Sequence, residues 1–225
     1  MISVDIVLTS YNSGEFLSDA LDSVASQTLP ARRVIVVDDG SSDGSVARTI
    51  AGRANITVIR QQNAGASAAR NTGMAASRAD AALIFDHDDL LSLNAIEVLV
   101  AAMDTGRHVD MVHGSVREFV DDRVPLPPGV RAVERVLPSR LSGSTLIRRS
   151  LWDQVGGFVP SMRKGEWIDW IDRSSTHGAN VVVIDDVILH RRIHGRNMTA
   201  DAGSKSQYLA VARAALLRKR EGPSS

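Results

Sequence analysis

Three carboxylates and a histidine follow a short apolar run near the middle of the chain. The run covers residues 81–85, and the sequence continues as Asp86-His87-Asp88-Asp89. An uncharged run of this kind is typical of a central parallel strand, and open α/β sheets bind ligands at the carboxyl ends of such strands. Neighbouring carboxylates repel each other, and Mg²⁺ or Mn²⁺, held by one or two carboxylates and substrate phosphate oxygens, removes that repulsion. The cluster is therefore a candidate site for a metal-bound phosphorylated substrate.

The same acids also have a purely structural interpretation. Asp89 precedes a helix predicted over residues 90–103, where a carboxylate would cap the amino end and suit the helix dipole. We expect Asp89 to be that cap. For Asp86 and Asp88 the residues alone leave both interpretations open.

The elements that must position this cluster alternate between strand and helix patterns. This rhythm predicts βαβ units, a parallel sheet and right-handed crossovers. The chain is therefore expected to be an α/β protein. Strands are predicted over residues 4–8, 33–37, 56–60 and 81–85, and helices over 15–26, 46–51 and 63–76.

The pattern changes after about residue 105 to shorter, mixed elements. We expect one domain over 1–225, with a first half, 1–105, and a smaller second half, 106–225, that ends in a helix. Strands are predicted over 110–113, 116–120, 143–148 and 181–184, an irregular segment over 121–138, helices over 151–155, 166–177 and 207–220, and a basic extended stretch over 189–197.

Composition excludes several classes of protein. Lys and Arg number 26, as do Asp and Glu, so the zero net charge argues against a general nucleic-acid binder. Cysteine is absent, which excludes disulfides and thiolate chemistry. No run approaches the roughly 20 apolar residues that a membrane span needs, and no leader pattern opens the chain. We expect a soluble cytoplasmic protein without a transmembrane segment, and peripheral contact with a membrane stays open.

Polar loops follow three of the predicted strands. Thr9-Ser10-Tyr11-Asn12 follows the first, Asp38-Asp39-Gly40-Ser41 the second, and the Asp86 cluster the fourth. In a parallel sheet these loops converge on one edge, where an aromatic ring stacks on a base and carboxylates accept from base N–H groups or ribose hydroxyls. Arg70, the one large charged residue in 64–76, either contacts the base or diphosphate there or lies on a solvated helix face.

With these residues the chain resembles the family 2 inverting glycosyltransferases of the GT-A fold. The resemblance implies a Rossmann-like, mixed, mostly parallel sheet flanked by helices, with a smaller acceptor-side subregion. It also implies that the first half binds a nucleotide sugar and the second half an acceptor. The matching segments, in family order, are Ile6-Val7-Leu8-Thr9-Ser10-Tyr11-Asn12, Gln27-Thr28, residues 35–45, residues 63–73 and Phe85-Asp86-His87-Asp88-Asp89, with looser matches at Val155-Gly156-Gly157-Phe158, Gly165-Glu166 and Arg192-Ile193-His194-Gly195.

Nucleotide-binding roles follow from the resemblance. It implies that Thr9, Tyr11 and Asp39 hold the base and that Arg70 assists them. Asp86 would lie near the ribose and donor sugar. A UDP-sugar is the expected donor, given Tyr11 and Asp39.

A metal site follows from the same resemblance. Asp86-His87-Asp88 looks like the family's DxD motif, in which Asp88 would ligate Mn²⁺ or Mg²⁺ and Asp86 would lie beside it. His87 fills the variable middle position. His194, in a late loop, is the third candidate ligand.

The catalytic base is where the chain departs from the family. Members often carry Gly-Glu-Asp at a helix start, with the Asp as base, whereas Trp167 stands at that position here. Glu166 and Asp169 lie three residues apart on one helix face, so both are candidates. We prefer Asp169 slightly, because Trp167 and Trp170 beside it would exclude water. The two tryptophans would stack on an acceptor sugar or pack in the core.

Together these features predict a metal-dependent, inverting hexosyl- or N-acetylhexosaminyltransferase that uses a UDP-sugar. The acceptor is open among a peptide, a natural product, a glycan and a lipid-linked glycan. One alternative is a nucleotidyltransferase, although the loop after the first predicted strand lacks the basic residues that a triphosphate requires. Another is a non-catalytic nucleotide-sugar binding module, which Trp167 favours.

Overall fold

The computed structural model describes residues 1–121, 123–124, 126, 135–138 and 141–194. The predicted helix over 207–220 and most of the predicted irregular segment lie outside these residues. The strands are β1 (Val4–Ser10), β2 (Arg33–Asp38), β3 (Ile56–Arg60), β4 (Ala81–Asp86), β5 (Leu90–Leu91), β6 (Met111–Val120), β7 (Arg135–Pro138), β8 (Thr145–Arg148) and β9 (Val181–Ile193). The helices are α1 (Phe16–Ala25), α2 (Ser45–Ile50), α3 (Ala66–Ala76), α4 (Ala95–Met103), α5 (Arg149–Val155) and α6 (Glu166–Thr176).

The described strands form one mixed sheet with the order β3-β2-β1-β4-β8-β6-β9-β5, and β7 pairs with β6. The first four strands are parallel, as predicted, and β8 runs antiparallel to both β4 and β6. The chain winds outward from β1 through β2 to β3 and then returns to place β4 on the other side of β1. The order therefore switches between β1 and β4, which is where open sheets leave a crevice for ligands.

Helices cover both faces of the sheet because the strand side chains alternate. Leu8 of β1 packs with α1 and α4 in one apolar cluster, and Val7 packs with α3, α5 and α6 in the other. Gly73 allows α3 to lie close to β1, since a Cβ there would lie 2.3 Å from Cγ1 of Val7. This close approach brings the preceding turn of α3, which carries Arg70, toward the switch point.

Two predicted breaks in the second half do not exist. Residues 111–113 and 116–120 belong to the single strand β6. The strand predicted over 181–184 and residues 189–193 of the basic stretch both lie in β9, and residues 195–197 of that stretch lie outside the described residues. The break in β6 was expected near Gly114. That glycine instead accommodates β9, because a Cβ there would lie 2.1 Å from Cγ1 of Ile188.

The helix predicted over residues 90–103 begins later. Leu90 and Leu91 form the short strand β5 on the edge of β9, and α4 starts at Ala95 after Asn94. The prediction that Asp89 caps this helix is therefore wrong, because a pair of strand residues and a turn separate it from the helix.

Candidate active site

The carboxyl ends of β1 and β4 meet at Thr9 and Asp86, which are paired in register. The Thr9 hydroxyl donates a 3.4 Å hydrogen bond to Oδ1 of Asp86, and Nδ1 of His87 lies 3.2 Å from the Thr9 carbonyl. The first strand's loop and the acidic cluster therefore share one edge, as the sequence predicts.

The loop after β2 joins the same edge through backbone contacts. The Asn12 N–H donates to Oγ of Ser41 at 3.0 Å, and the Ser42 N–H donates to Oδ1 of Asn12 at 3.0 Å. The convergence of all three polar loops is confirmed. Tyr11, between them, is 50% exposed, so its ring is accessible to a ligand.

Asp39 is buried and organises the segment that leads into α3. Its carboxylate accepts from Nε2 of Gln61 at 2.8 Å and from the backbone N–H groups of Ala64 and Gly65 at 2.9 Å. These bonds hold the 61–65 segment against the loop after β2. Asp39 thus shapes the wall of the crevice on the β2 side.

Arg70 lies at the centre of the site rather than on a solvated helix face. It is buried, and its guanidinium donates to both carboxylate oxygens of Asp86, at 2.9 and 3.2 Å, and to Oε1 of Glu166. Burial alone would lower the pKa of Arg70, but the two carboxylates raise it above the ordinary value. The arginine therefore stays charged and joins an acid of the acidic cluster to an acid of α6.

Asp88 and His194 form a second pair beside this arrangement. Nε2 of His194 lies 3.1 Å from Oδ2 of Asp88, and the histidine is buried. Burial raises the pKa of Asp88, but the hydrogen bond from His194 and the charge of His87 bring that pKa below its usual range. A carboxylate oxygen and an imidazole nitrogen at this spacing can both ligate one divalent cation.

The donor set is incomplete without a substrate. Within the described part of the chain, no three side chains of the ligating types lie close enough to hold a metal on their own. Asp86, predicted as a ligand, directs its carboxylate to Arg70 instead. Such a site fits a cation that takes its remaining ligands from phosphate oxygens and water.

Asp89 is a buried acid rather than a helix cap. Its Oδ1 accepts the backbone N–H of Arg192 at 2.9 Å. Burial and the neighbouring charges of Asp88 and Asp86 raise its pKa well above the usual value. Asp89 therefore fastens the acidic loop to β9.

The two candidate bases on α6 point to different partners. Glu166 contacts Arg70 and so belongs to the cluster at the sheet edge. Asp169 is buried and accepts from Nε of Arg173 at 2.9 Å, and Arg173 also donates to the carbonyls of Val155 and Gly157. The structure thus brings Glu166, and not Asp169, to Asp86.

The tryptophans of α6 pack in the core. Trp170 is fully buried, stacks on Trp152 and Trp167 at centroid distances of 5.4 and 5.6 Å, and donates its indole N–H to the Gly156 carbonyl. An acceptor-stacking role for Trp170 is wrong, because none of its ring is accessible. Trp167 is 9% exposed and packs at a tilt against Phe158, so it too packs in the core.

One set of ion pairs around the site has no local signal in the sequence. Arg192 is buried beneath the acidic loop and pairs with Asp19 of α1 and Asp121 after β6. These partners lie 173 and 71 positions away along the chain, so no local spacing or periodicity predicts the contacts. The looser family match at Arg192-Ile193-His194-Gly195 draws attention to Arg192 itself but not to these two partners.

A comparison with protein-family models matches residues 5–165 to the family described as glycosyl transferase family 2. That range contains the three converging loops, Arg70 and the approach to α6. The chain belongs to this family. This glycosyltransferase has the GT-A fold expected from its motifs, which confirms the resemblance.

Relatives of this family 2 glycosyltransferase include three bacterial and archaeal proteins. It is 27% identical to the uncharacterized glycosyltransferase YwdF of Bacillus subtilis over 92% of its own length and 82% of YwdF. It is 36% identical to the uncharacterized glycosyltransferase EpsJ of the same organism over 60% of its length and 40% of EpsJ. Glycosyltransferase AglE of Haloferax volcanii is 29% identical over 82% of this chain and 65% of AglE.

Solved structures show the same fold at low sequence identity. S. aureus TarS 1-349 in complex with UDP-GlcNAc superposes with a TM-score of 0.77 at 19% identity, covering 96% of this chain and 66% of TarS 1-349. The mannosyltransferase PcManGT from Pyrobaculum calidifontis, in complex with GDP-Man and Mn²⁺, superposes with a TM-score of 0.72 at 18% identity. The match covers 96% of this chain and 64% of PcManGT. Of the helices in the described ranges, none is long and apolar enough to cross a membrane.

Proposed function

We propose that this family 2 glycosyltransferase transfers a sugar, with inversion, from a nucleoside diphosphate sugar to an acceptor hydroxyl. The observation that carries the proposal is Arg70, which links Asp86 of the acidic loop to Glu166 of α6. In this proposal Asp86 is the donor-side acid and Glu166 the acceptor-side acid, and Arg70 is the buried cation between them. The structural neighbours with UDP-GlcNAc and GDP-Man support a nucleotide sugar as donor.

The proposed nucleotide site lies along the β1–β2 edge. Tyr11 offers an accessible ring to the base, and Thr9 and Asp39 lie at the ends of the two strands that flank the crevice. The Asp86 side chain is part exposed, so ribose or donor-sugar hydroxyls can reach its carboxylate beside Arg70. A UDP-sugar is the first donor to test.

The proposed metal ligands are Asp88 and His194. An oxygen and a nitrogen donor suit Mn²⁺ better than Mg²⁺, which prefers oxygen ligands alone. A bound cation would supply charge neutralisation for the departing diphosphate. Asp86 stays a proposed neighbour of this site through its place in the loop.

The proposed base is Glu166 rather than Asp169, which the sequence alone favours slightly. Its carboxylate would accept the proton of the acceptor hydroxyl as that oxygen bonds to the anomeric carbon. The bond from the anomeric carbon to the diphosphate oxygen breaks at the same time, and the nucleoside diphosphate leaves with the electron pair. Asp169 instead pairs with Arg173, one turn further along α6, and this ion pair is proposed to stabilise the packing of that helix.

Two carboxamide variants test the base. Glu166→Gln is expected to lower turnover by about 10²–10⁴-fold, the usual contribution of a general base, and to leave UDP affinity unchanged. Asp169→Asn is the matched control, which should lose about 1.5–3 kcal/mol of stability but keep its turnover. Released UDP and calorimetric UDP binding are the measurements. Normal turnover in Glu166→Gln would contradict the proposed base.

The donor is tested without knowledge of the acceptor. The protein is incubated with individual UDP-sugars and Mn²⁺, and the slow release of UDP to water is measured, with GDP-Man as a comparison donor. A UDP-sugar should bind and be hydrolysed only when the metal is present. If no UDP-sugar binds with Mn²⁺, the proposed donor class is wrong.

A non-catalytic nucleotide-sugar binding module is the second candidate. Trp167, at the position where the family often carries its base, is the observation that favours it. This candidate predicts UDP binding with no transfer or hydrolysis, and with no difference between the parent protein and Glu166→Gln. The acceptor, in the catalytic case, is proposed to be a peptide, natural product, glycan or lipid-linked glycan.

A further inference from the structure

Arg192 contacts the acidic loop from beneath at two consecutive residues. Its backbone N–H donates to Oδ1 of Asp89 at 2.9 Å, and its side-chain Nε donates to the backbone carbonyl of Asp88 at 2.8 Å. The arginine is 1% exposed, so it is inaccessible to a diphosphate. Its contacts are with the loop itself.

The rest of the guanidinium is anchored from the opposite side. One terminal nitrogen donates to Oδ2 of Asp19 on α1 at 2.9 Å, and the other pairs with Asp121 at the end of β6. The rings of Phe16 and Phe119 flank the guanidinium carbon, with centroids at 4.6 and 5.1 Å. Because both ends of the fork are engaged, the orientation of Nε toward the loop is determined.

The same short segment of chain also reaches the side chain of Asp88. His194, two residues after Arg192, lies 3.1 Å from the Asp88 carboxylate. Its ring lies 4.9 Å from Phe16, which therefore contacts both His194 and the guanidinium. Arg192 thus bonds to the backbone of Asp88, and His194 contacts its carboxylate.

We propose that Arg192 is a positioning residue for the metal site, which sets the distance between the Asp88 carboxylate and His194. The inference rests on the proposed function, since it takes Asp88 and His194 as the ligands. Residues that orient metal ligands typically contribute 10–100-fold to metal affinity. Without the Nε contact, the Asp88 carbonyl would lose this hydrogen bond, and the loop would shift to pair it elsewhere.

The first test compares Arg192→Met with Arg149→Met. Arg149 is the control because its side chain also bonds to backbone carbonyl oxygens, those of Met74 and Ser77, but it lies at the far end of the sheet. Electron paramagnetic resonance measures Mn²⁺ binding, alone and with UDP, and thermal unfolding measures stability. Both variants should melt earlier, but only Arg192→Met should weaken Mn²⁺ binding, by about 10–100-fold.

A second pair covers the case in which Arg192→Met fails to fold. Asp19→Asn removes one anchor of Arg192, whereas Asp22→Asn, on the same helix, removes an ion pair with Arg53 at the surface. Asp19→Asn should weaken Mn²⁺ binding in the presence of UDP, and Asp22→Asn should leave it unchanged.

The outcomes separate this inference from the proposed function. If the parent protein binds neither Mn²⁺ nor UDP, the proposed function fails and this inference fails with it. If the parent binds both and Arg192→Met or Asp19→Asn binds Mn²⁺ as tightly, the positioning role is overturned and the proposed function stands.

Discussion

Two buried charges lie at opposite ends of the central strands. Asp5 of β1 is fully buried at the amino end, where its carboxylate accepts from Arg32, the Ser77 hydroxyl and the Arg78 N–H. Arg70 is buried at the carboxyl end between two acids. Asp5 fastens loops that carry no chemistry, whereas Arg70 joins the groups proposed to react.

Asp5 should make stability depend on acid pH. Burial raises its pKa, but Arg32, Ser77 and Arg78 together bring that pKa below the usual value. The contribution of Asp5 to the free energy of unfolding is therefore complete above the unfolded-state pKa of about 3.9. It is lost as the pH falls through the lower pKa of the folded state. Asp5→Asn should cost about 2–3 kcal/mol at pH 7 and flatten this acid dependence.

Urea unfolding of the parent and Asp5→Asn between about pH 2 and 7 is the measurement. Asp22→Asn is the control, since its exposed pair with Arg53 should be worth less than about 1 kcal/mol. Equal pH dependence in the parent and Asp5→Asn would show that other carboxylates govern acid unfolding.

Arg70→Lys tests whether the two-sided contact matters rather than the charge. A lysine keeps the charge but cannot donate to Asp86 and Glu166 through a planar fork. We expect kcat/KM to fall by about 100-fold, because Asp86 and Glu166 would no longer be held in position relative to each other. The free energy of unfolding should change less. Arg78→Lys, just beyond the end of α3, is the control, and unchanged kcat/KM in Arg70→Lys would argue against a role for the link.

At the scale of elements, the approach of α3 to β1 decides where Arg70 lies. Gly73 lies where α3 comes close to β1, and a side chain at this position would clash with Cγ1 of Val7. An alanine normally favours a helix over glycine by about 1 kcal/mol, but overpacking typically costs 1–3 kcal/mol, so the clash should prevail here. Gly73→Ala should therefore destabilise the protein.

A double-mutant cycle isolates this clash. Val7→Ala removes the obstructing methyl groups, so Gly73→Ala should be less harmful in that background, with a coupling of about 0.5–3 kcal/mol. Denaturant unfolding of the four proteins is the measurement. Strict additivity would show that α3 moves away from the sheet without resistance.

At the scale of the whole molecule, ligand binding should stabilise both halves together. Elements from both halves meet at the site, since Asp88 and His194 lie 106 residues apart. At a ligand concentration of 100 times Kd, binding to the folded state adds about 2.7 kcal/mol, which is roughly 5–10 °C in Tm for this size. Mn²⁺ with UDP should produce this shift in one transition.

EDTA with UDP is the control for that experiment, and it should give a smaller shift or none. Two separate melting transitions, of which one responds to the ligand, would contradict the single domain that we expect. The separation into a donor half and an acceptor half stays a prediction.

Much of the first half was predictable because its signals are local. The βαβ rhythm, the apolar strands and the turn residues act over a few positions, and they predicted β1 to β4 nearly residue for residue. Parallel pairing then requires the polar loops after β1, β2 and β4 to share an edge. The second half was less predictable. Gly114 lies between two predicted strands and, from local sequence alone, is consistent with a break, but in the fold it allows β9 to pack close to β6 at Ile188.

The family, the α/β fold and the polar groups at the sheet edge follow from the residues alone, since motif order and periodicity need no distant partner. The packing of distant segments brings Glu166 to Arg70 and Asp169 to Arg173, although the two acids share a helix face. It also turned Asp89 from a predicted cap into an anchor for Arg192. Each of these outcomes depends on which charges meet when segments distant in the chain are packed together.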